Sequence, residues 1–162
     1  MANRIYIKLG DLEGPISDAD HPKWMEALSV DTGVSNNMNC VEKVQSNPGG
    51  EVHHHQDLRV NKVIDSLSPQ LAVHCALGSG FDKAEIEVCE ESEVLYKIVL
   101  EKVAINQYNI SSNHAGVPTE TFSLNYALIQ YKYREGAEDH FNLADDSSSL
   151  EKKAFSKSFG IS

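Results

Sequence analysis

The chain has 162 residues, 41% of them hydrophobic, which suits one domain with its own core and rules out a disordered polymer. Lys and Arg total 14 against 24 Asp and Glu, a net charge of −10, and the basic residues are scattered singly apart from Lys152-Lys153. A surface of that sign repels phosphate backbones, so nucleic acid is not an expected partner. No segment approaches the roughly 20 apolar residues of a spanning helix, so membrane insertion is not expected either.

Met1-Ala2-Asn3 runs directly into a strand with no signal-peptide hydrophobic region, which leads us to expect folding in the cytosol. Arg4 to Leu9 alternates, with Ile5, Ile7 and Leu9 on one face of a half-buried strand. Gly10 to Lys23 is acidic and contains Gly14-Pro15 and His21-Pro22, the composition of a long surface loop. Trp24 to Val34 places Leu28, Val30 and Val34 in period-2 phase on one face, and a second alternating stretch spans Val52 to Val63. Between them, Ser35 to Glu51, with Asn36-Asn37 and Asn47-Pro48-Gly49-Gly50, is too long for an idle hairpin turn.

One helix signal follows. Gln70 to Leu77 reads as about two turns, with Ser68 placed to cap the first N–H groups, Pro69 at the first helical position and Gly78 at the left-handed exit. Only Gln70 and His74 give it a polar stripe, so we expect a plug sealing one flank or end of a barrel. Ala84, Ile86 and Val88 alternate with charged residues, and Glu90 to Glu93 makes an acidic turn. Val94 to Ile110 is a long strand whose apolar phase moves from Val94, Tyr96, Ile98 and Leu100 to Val103 and Ile105. After the turn Ser111–Pro118, Thr119 to Arg134 behaves alike, from Phe122, Leu124, Tyr126 and Leu128 to Ile129, Tyr131 and Tyr133. Strands that change face belong to a small, strongly coiled β-barrel of two packed antiparallel sheets. The chain is therefore expected to be mainly β with one short flanking helix. Residues 1–134 form the barrel domain and 135–162 an acidic, Ser-rich arm or tail.

The chemistry-bearing residues do not assemble into an enzyme signature. His53 and His55 share a strand face and are the candidate metal ligands, but a closed site needs four donors and no further ligand of suitable spacing is evident. Paired carboxylates such as Glu85 and Glu87 fall on polar strand faces, where we expect them solvated. Ser66 and Ser68 lack a nucleophile elbow, and Gly78-Ser79-Gly80 leaves a helix instead of entering one. Cys40, Cys75 and Cys89 have no disulfide or metal spacing; Cys40 is the expected exposed thiol and the others small hydrophobes. No catalytic residue and no cofactor is assigned.

The order of these elements resembles the haemolysin-coregulated proteins (Hcp) of the type VI secretion system along roughly the first 134 residues. The resemblance rests on Tyr6-Ile7-Lys8-Leu9 with the acidic loop, His21 before the strand from Trp24, and Asp57-Leu58-Arg59-Val60-Asn61-Lys62-Val63-Ile64-Asp65. It continues through Ser68-Pro69 opening the helix, the two strands after it, and Thr121-Phe122-Ser123-Leu124-Asn125-Tyr126. It implies a non-enzymatic tube protein: hexameric rings that stack, are driven by a contracting sheath beneath a spike, and are expelled from the cytoplasm without a signal peptide, with small effectors carried in the lumen. The expected partners are other copies of the chain, spike and sheath proteins, and such effectors. Ring-stacking contacts are expected from the loops, with Asp20, His21, Cys40, Asn47, Glu90, Glu91 and His114 as candidate residues. The alternative reading is a small ligand- or metal-binding barrel acting through His53 and His55.

Overall fold

The computed structural model describes residues 3–36, 53–134, 136–143 and 147–148. In chain order these form β1 (Arg4–Leu9), β2 (Met25–Ala27), β3 (Ser29–Asp31), β4 (Val34–Asn36), β5 (His53–His55), β6 (Leu58–Val63), α1 (Ser68–Leu77), β7 (Gly80–Glu90), β8 (Glu93–Ser111), β9 (Thr119–Asn125), β10 (Leu128–Tyr133), β11 (Ala137–Asn142) and β12 (Ser147–Ser148). All pairings are antiparallel, and β4 and β5 pair only with each other, as a separate ribbon.

The strands divide into two layers, and the chain passes between them within β8, at Leu28 and between β9 and β10. The first layer runs β12-β11-β10-β8-β7-β1-β2 and the second β3-β6-β9-β8. Strand β8 belongs to both: Tyr96–Glu101 pairs with β10, and Ala104–Ser111 pairs with β9. The change falls at Lys102, whose φ of +53° turns the backbone, and a register irregularity follows between Ile105 and Gln107. This is the phase shift the sequence predicts, and it lets Ile98 and Leu100 face the same core as Val103 and Ile105. The second crossing is at Leu28, where Met25–Ala27 on β1 gives way to Ser29–Asp31 on β6 and the Leu28 N–H donates to Asn61 O at 2.7 Å. Neighbouring strands thus run around a two-sheet barrel interrupted at Leu28. Ile7, Leu9, Ala84 and Ile86 from one layer meet Leu58, Val60, Phe122 and Leu124 from the other in one buried cluster. Each Val, Leu, Ile or Phe side chain among them contributes about 1.5–3 kcal/mol by leaving water.

Four expectations need correction. The alternating stretches are subdivided: Trp24–Val34 becomes β2, β3 and the start of β4, Val52–Val63 contains β5 and β6, and Thr119–Arg134 becomes β9 and β10. Leu28 and Val34 are exposed, whereas Met25 and Ala27 are buried, because the barrel takes up the opposite side of that strand. The helix seals the core with one face only. Leu67, Ser68 and Leu71 are buried, while Val73 is 55% and Leu77 72% exposed. Ser68 is not its side-chain N-cap either: it is the first helical residue, and its hydroxyl accepts the Asp65 N–H at 2.9 Å and donates to Glu120 at 2.9 Å. A buried carboxylate is a stronger acceptor for that hydroxyl than a neutral one would be. Gly78 does take the left-handed exit, at φ +67°.

Candidate functional site

Parity along the strands brings two polar centres into the interior, one on each layer. On β6 and β9 the core-facing rows Leu58-Val60 and Leu124-Phe122 continue to Lys62 and Glu120, which are cross-strand partners and fully buried beneath α1. The Lys62 ammonium donates to Glu120, to Asp65 Oδ2 at 2.8 Å and to the Val63 carbonyl at 3.1 Å. Glu120 also accepts from the Ser68 and Tyr108 hydroxyls. All three ammonium protons and both carboxylate oxygens are therefore engaged, which is what a buried ion pair requires. Burial, and then the bond to Glu120, push the Tyr108 phenol well above its usual range. The alternation of Leu58 with Val60 and of Phe122 with Leu124 already points Lys62 and Glu120 inward; the charge of both residues hides that signal in a hydrophobic pattern.

The second centre lies on the opposite side of the first layer. Glu87 and Cys89 are two apart on β7 and face away from Ile86 and the core. They would be solvated, as the sequence predicts for Glu87, but the loop between β1 and β2 folds across them, leaving Glu87 only 8% exposed. Within that loop the Gly14 N–H donates to Lys23 O at 2.8 Å and Lys23 N–H to Ile16 O at 2.8 Å, so the segment doubles back on itself. Gly14 is obligatory, since a Cβ there would stand 2.4 Å from the Trp24 carbonyl oxygen. This closure carries His21 inside. Its ring stacks on Tyr6 at 4.0 Å and 9°, with Trp24 edge-on at 5.0 Å. Nε2 lies 3.2 Å from Glu87 Oε1 and 3.9 Å from Cys89 Sγ, while Nδ1 is buried without a hydrogen-bond partner. Burial, followed by the nearby Glu87, Asp18 and Asp20 carboxylates, raises the pKa of the Cys89 thiol. Among the described residues this is where histidine, cysteine and carboxylate donors converge, all within 4.8 Å of one another. A cleft of about 270 Å³, lined in part by Arg4, Asp18, Asp20 and Glu91, opens beside it.

The outer row continues along β7. Lys97 on β8 lies 3.2 Å from Glu85 and 3.6 Å from Glu87, and Lys83 lies 3.1 Å from Glu85. Although burial alone would raise it, the Glu85 carboxyl is held below its ordinary range by Lys83 and Lys97.

The profile of the family described as "Type VI secretion system effector, Hcp" matches residues 6–133, from β1 to the end of β10. The chain belongs to the Hcp family. It is 29% identical over 150 residues to "Protein hcp1" of Pseudomonas aeruginosa, covering 86% of this chain and 90% of that protein. A solved type six secretion system protein superposes with a TM-score of 0.82 at 25% identity, over 91% of this chain and all of the other. Hcp1 from Salmonella typhimurium gives a TM-score of 0.79 at 19% identity, over 91% and 99% of the two chains, a likeness of fold. The mainly β architecture, with one helix among the described residues, is therefore the Hcp fold.

In this Hcp fold the residues assigned from sequence fall in different environments. Asp20, Glu91 and His114 are exposed in loops and Glu90 is exposed at the end of β7, whereas His21 is 6% exposed and turned inward. Cys40 and Asn47 lie outside the described residues. His54 is exposed on β5, but His55 is half-buried, its ring 4.9 Å from Phe141 and edge-on to Tyr126 at 6.5 Å. The histidine run is thus not simply a solvated strand, because His55 packs against Phe141 of β11 and Tyr126 of the link between β9 and β10. No helix among the described residues is long and apolar enough to cross a membrane.

Proposed function

We propose that this Hcp-family chain is a non-enzymatic building block of the type VI secretion inner tube, forming hexameric rings that stack and are expelled. What carries the reading is the family match from β1 through β10, the whole barrel wall. The barrel domain is residues 1–134 and the segment from 135 onward a C-terminal arm or tail; the pairing of Ala137–Asn142 with β10 supports an arm over those residues. The subunit is made in the cytoplasm and leaves it with the expelled tube, whose spike, sheath and lumenal effectors are its other partners.

Two features favour lateral association of copies. The outward face of α1 presents Val73 and Leu77, apolar area that a second copy would cover. Nearby, Asn106–Ser111 of β8 pairs only with β9 among the described residues, leaving a strand edge, with Ile110 60% exposed on it. Six copies at −10 carry a total of about −60, so rings must be held by apolar and backbone contacts that charge repulsion does not undo. Stacking then falls to the loops Gly10–Lys23, Ser35–Glu51, Glu90–Glu93 and Ser111–Pro118, the first and third of them acidic, with Asp20, Glu90, Glu91 and His114 at their surface and Cys40 and Asn47 in the second of them. His21 is left out of this set because it is buried.

Light scattering coupled to size-exclusion chromatography tests the assignment. Six chains of 17.9 kDa give a particle of about 107 kDa, and Val73→Glu with Leu77→Glu shifts it to the single-chain mass. Ring mass stays constant between low and high salt, whereas tube growth depends on salt. A chain that stays monomeric at every concentration overturns the reading. The alternative, a ligand-binding barrel acting through His53 and His55, has less support because His55 is occupied in packing.

A further inference from the structure

The His21–Glu87–Cys89 centre has geometry that hydrogen bonding alone does not use up. In tetrahedral coordination with bonds of about 2.0 Å to nitrogen or oxygen and about 2.3 Å to sulfur, the N···O and N···S separations are about 3.3 and 3.6 Å. The corresponding distances here are 3.2 Å for His21 Nε2 to Glu87 Oε1 and 3.9 Å for His21 Nε2 to Cys89 Sγ. The donors come from two rigidly related places: one strand of the first layer, and a loop residue whose ring plane is set by Tyr6 and Trp24. Their chemistry is that of a borderline-soft divalent ion, one imidazole, one thiolate and one carboxylate. The second Glu87 oxygen lies 3.6 Å from Lys97, an outer partner that orients the carboxylate. Side-chain exposure at the centre is low, 8% for His21 and 11% for Glu87, and the adjoining cleft with Asp18 and Asp20 offers room for a fourth, solvent ligand beside additional negative charge.

We propose that His21 Nε2, Glu87 Oε1 and Cys89 Sγ form a divalent metal site of the zinc type, completed by one water. On binding, the Cys89 thiol releases its proton to solvent and its sulfur bonds the ion. His21 binds as neutral imidazole, with its proton on Nδ1. The ion ties the Gly10–Lys23 loop to β7 independently of how copies of the chain associate, and His53 and His55 take no part.

Cobalt(II) titration of the full-length, chelator-treated chain is the test, read by absorption and by circular dichroism for folding. One equivalent produces a thiolate-to-cobalt charge-transfer band that zinc abolishes. The band survives in Cys40→Ser with Cys75→Ser and in His53→Ala with His55→Ala, and is lost in Cys89→Ser. Glu87→Gln, which keeps the shape of the side chain, weakens cobalt binding by at least roughly tenfold, the smaller loss known for partners one shell further out. A folded wild-type chain without that band overturns the proposal. So does a band that persists in Cys89→Ser or is unaffected by Glu87→Gln.

Discussion

The two buried polar centres of this barrel are built by the same device and end in opposite states. In both, polar residues line up on one strand face, as cross-strand partners in one case and two apart on β7 in the other, and another element then covers them: α1 over Lys62 and Glu120, the Gly10–Lys23 loop over Glu87 and Cys89. The first centre is saturated, each proton of Lys62 and each oxygen of Glu120 having a partner. The second gathers His21 Nε2, a thiol and a carboxylate shared between His21 and Lys97, all facing one another. Burial of charge alone therefore does not set the second centre apart. The convergence of three donor atoms, on which the metal proposal rests, does.

The largest effect that would break this contrast is at the saturated centre. Glu120→Ala strands the Lys62 ammonium in the core and should lower the unfolding free energy by about 3–5 kcal/mol in denaturant titrations. Lys62→Met combined with Glu120→Leu should recover most of that loss, because no uncompensated charge remains. If Glu120→Ala costs under about 1 kcal/mol, water reaches Lys62 and the first centre is not closed.

A smaller change sharpens the same point. Tyr108→Phe leaves one Glu120 oxygen without its donor, at a cost of about 1–3 kcal/mol. Because the Tyr108 pKa in the fold lies above its ordinary value of 10.0, its stabilising contribution is complete below pH 10 and is lost as pH rises beyond it. The wild-type chain should thus lose stability more steeply than Tyr108→Phe in this alkaline range.

The smallest effect belongs to the outer row beside the second centre. Lys97→Met removes a partner of Glu85 and Glu87 and should cost under about 1 kcal/mol near neutrality, as half-exposed ion pairs do. The Glu85 pKa is depressed below 4.5, so the stability it supplies is present above that pH and disappears as pH falls through the lower folded value. Unfolding curves of wild type and Lys97→Met should accordingly converge as the pH is lowered below 4.5.

Much of the fold is legible in residue order. The phase reversals after Leu100 and after Tyr126 locate the places where strands change layers, and Gly78 marks the end of the only helix among the described residues. The helix environment is less legible, since Val73 and Leu77 are as apolar as Leu71 and only packing tells the buried side from the open one. Neither polar centre is read from composition. Lys62 and Glu120 follow the inward parity of their strands, but a charged residue at such a position signals an end of the pattern until its partner is known. His21 is separated from Glu87 by 66 residues, and no local spacing rule connects them.

Alternation, turn chemistry and family resemblance were enough to establish a mainly β Hcp barrel and the helix of its described residues, because each depends on neighbours along the chain. Which charged side chains went inside, which face of α1 stayed outside and which three donors met under the Gly10–Lys23 loop were decided by the closure of the barrel. Those outcomes depend on which element covers a given strand face, and covering elements are brought there from far along the chain.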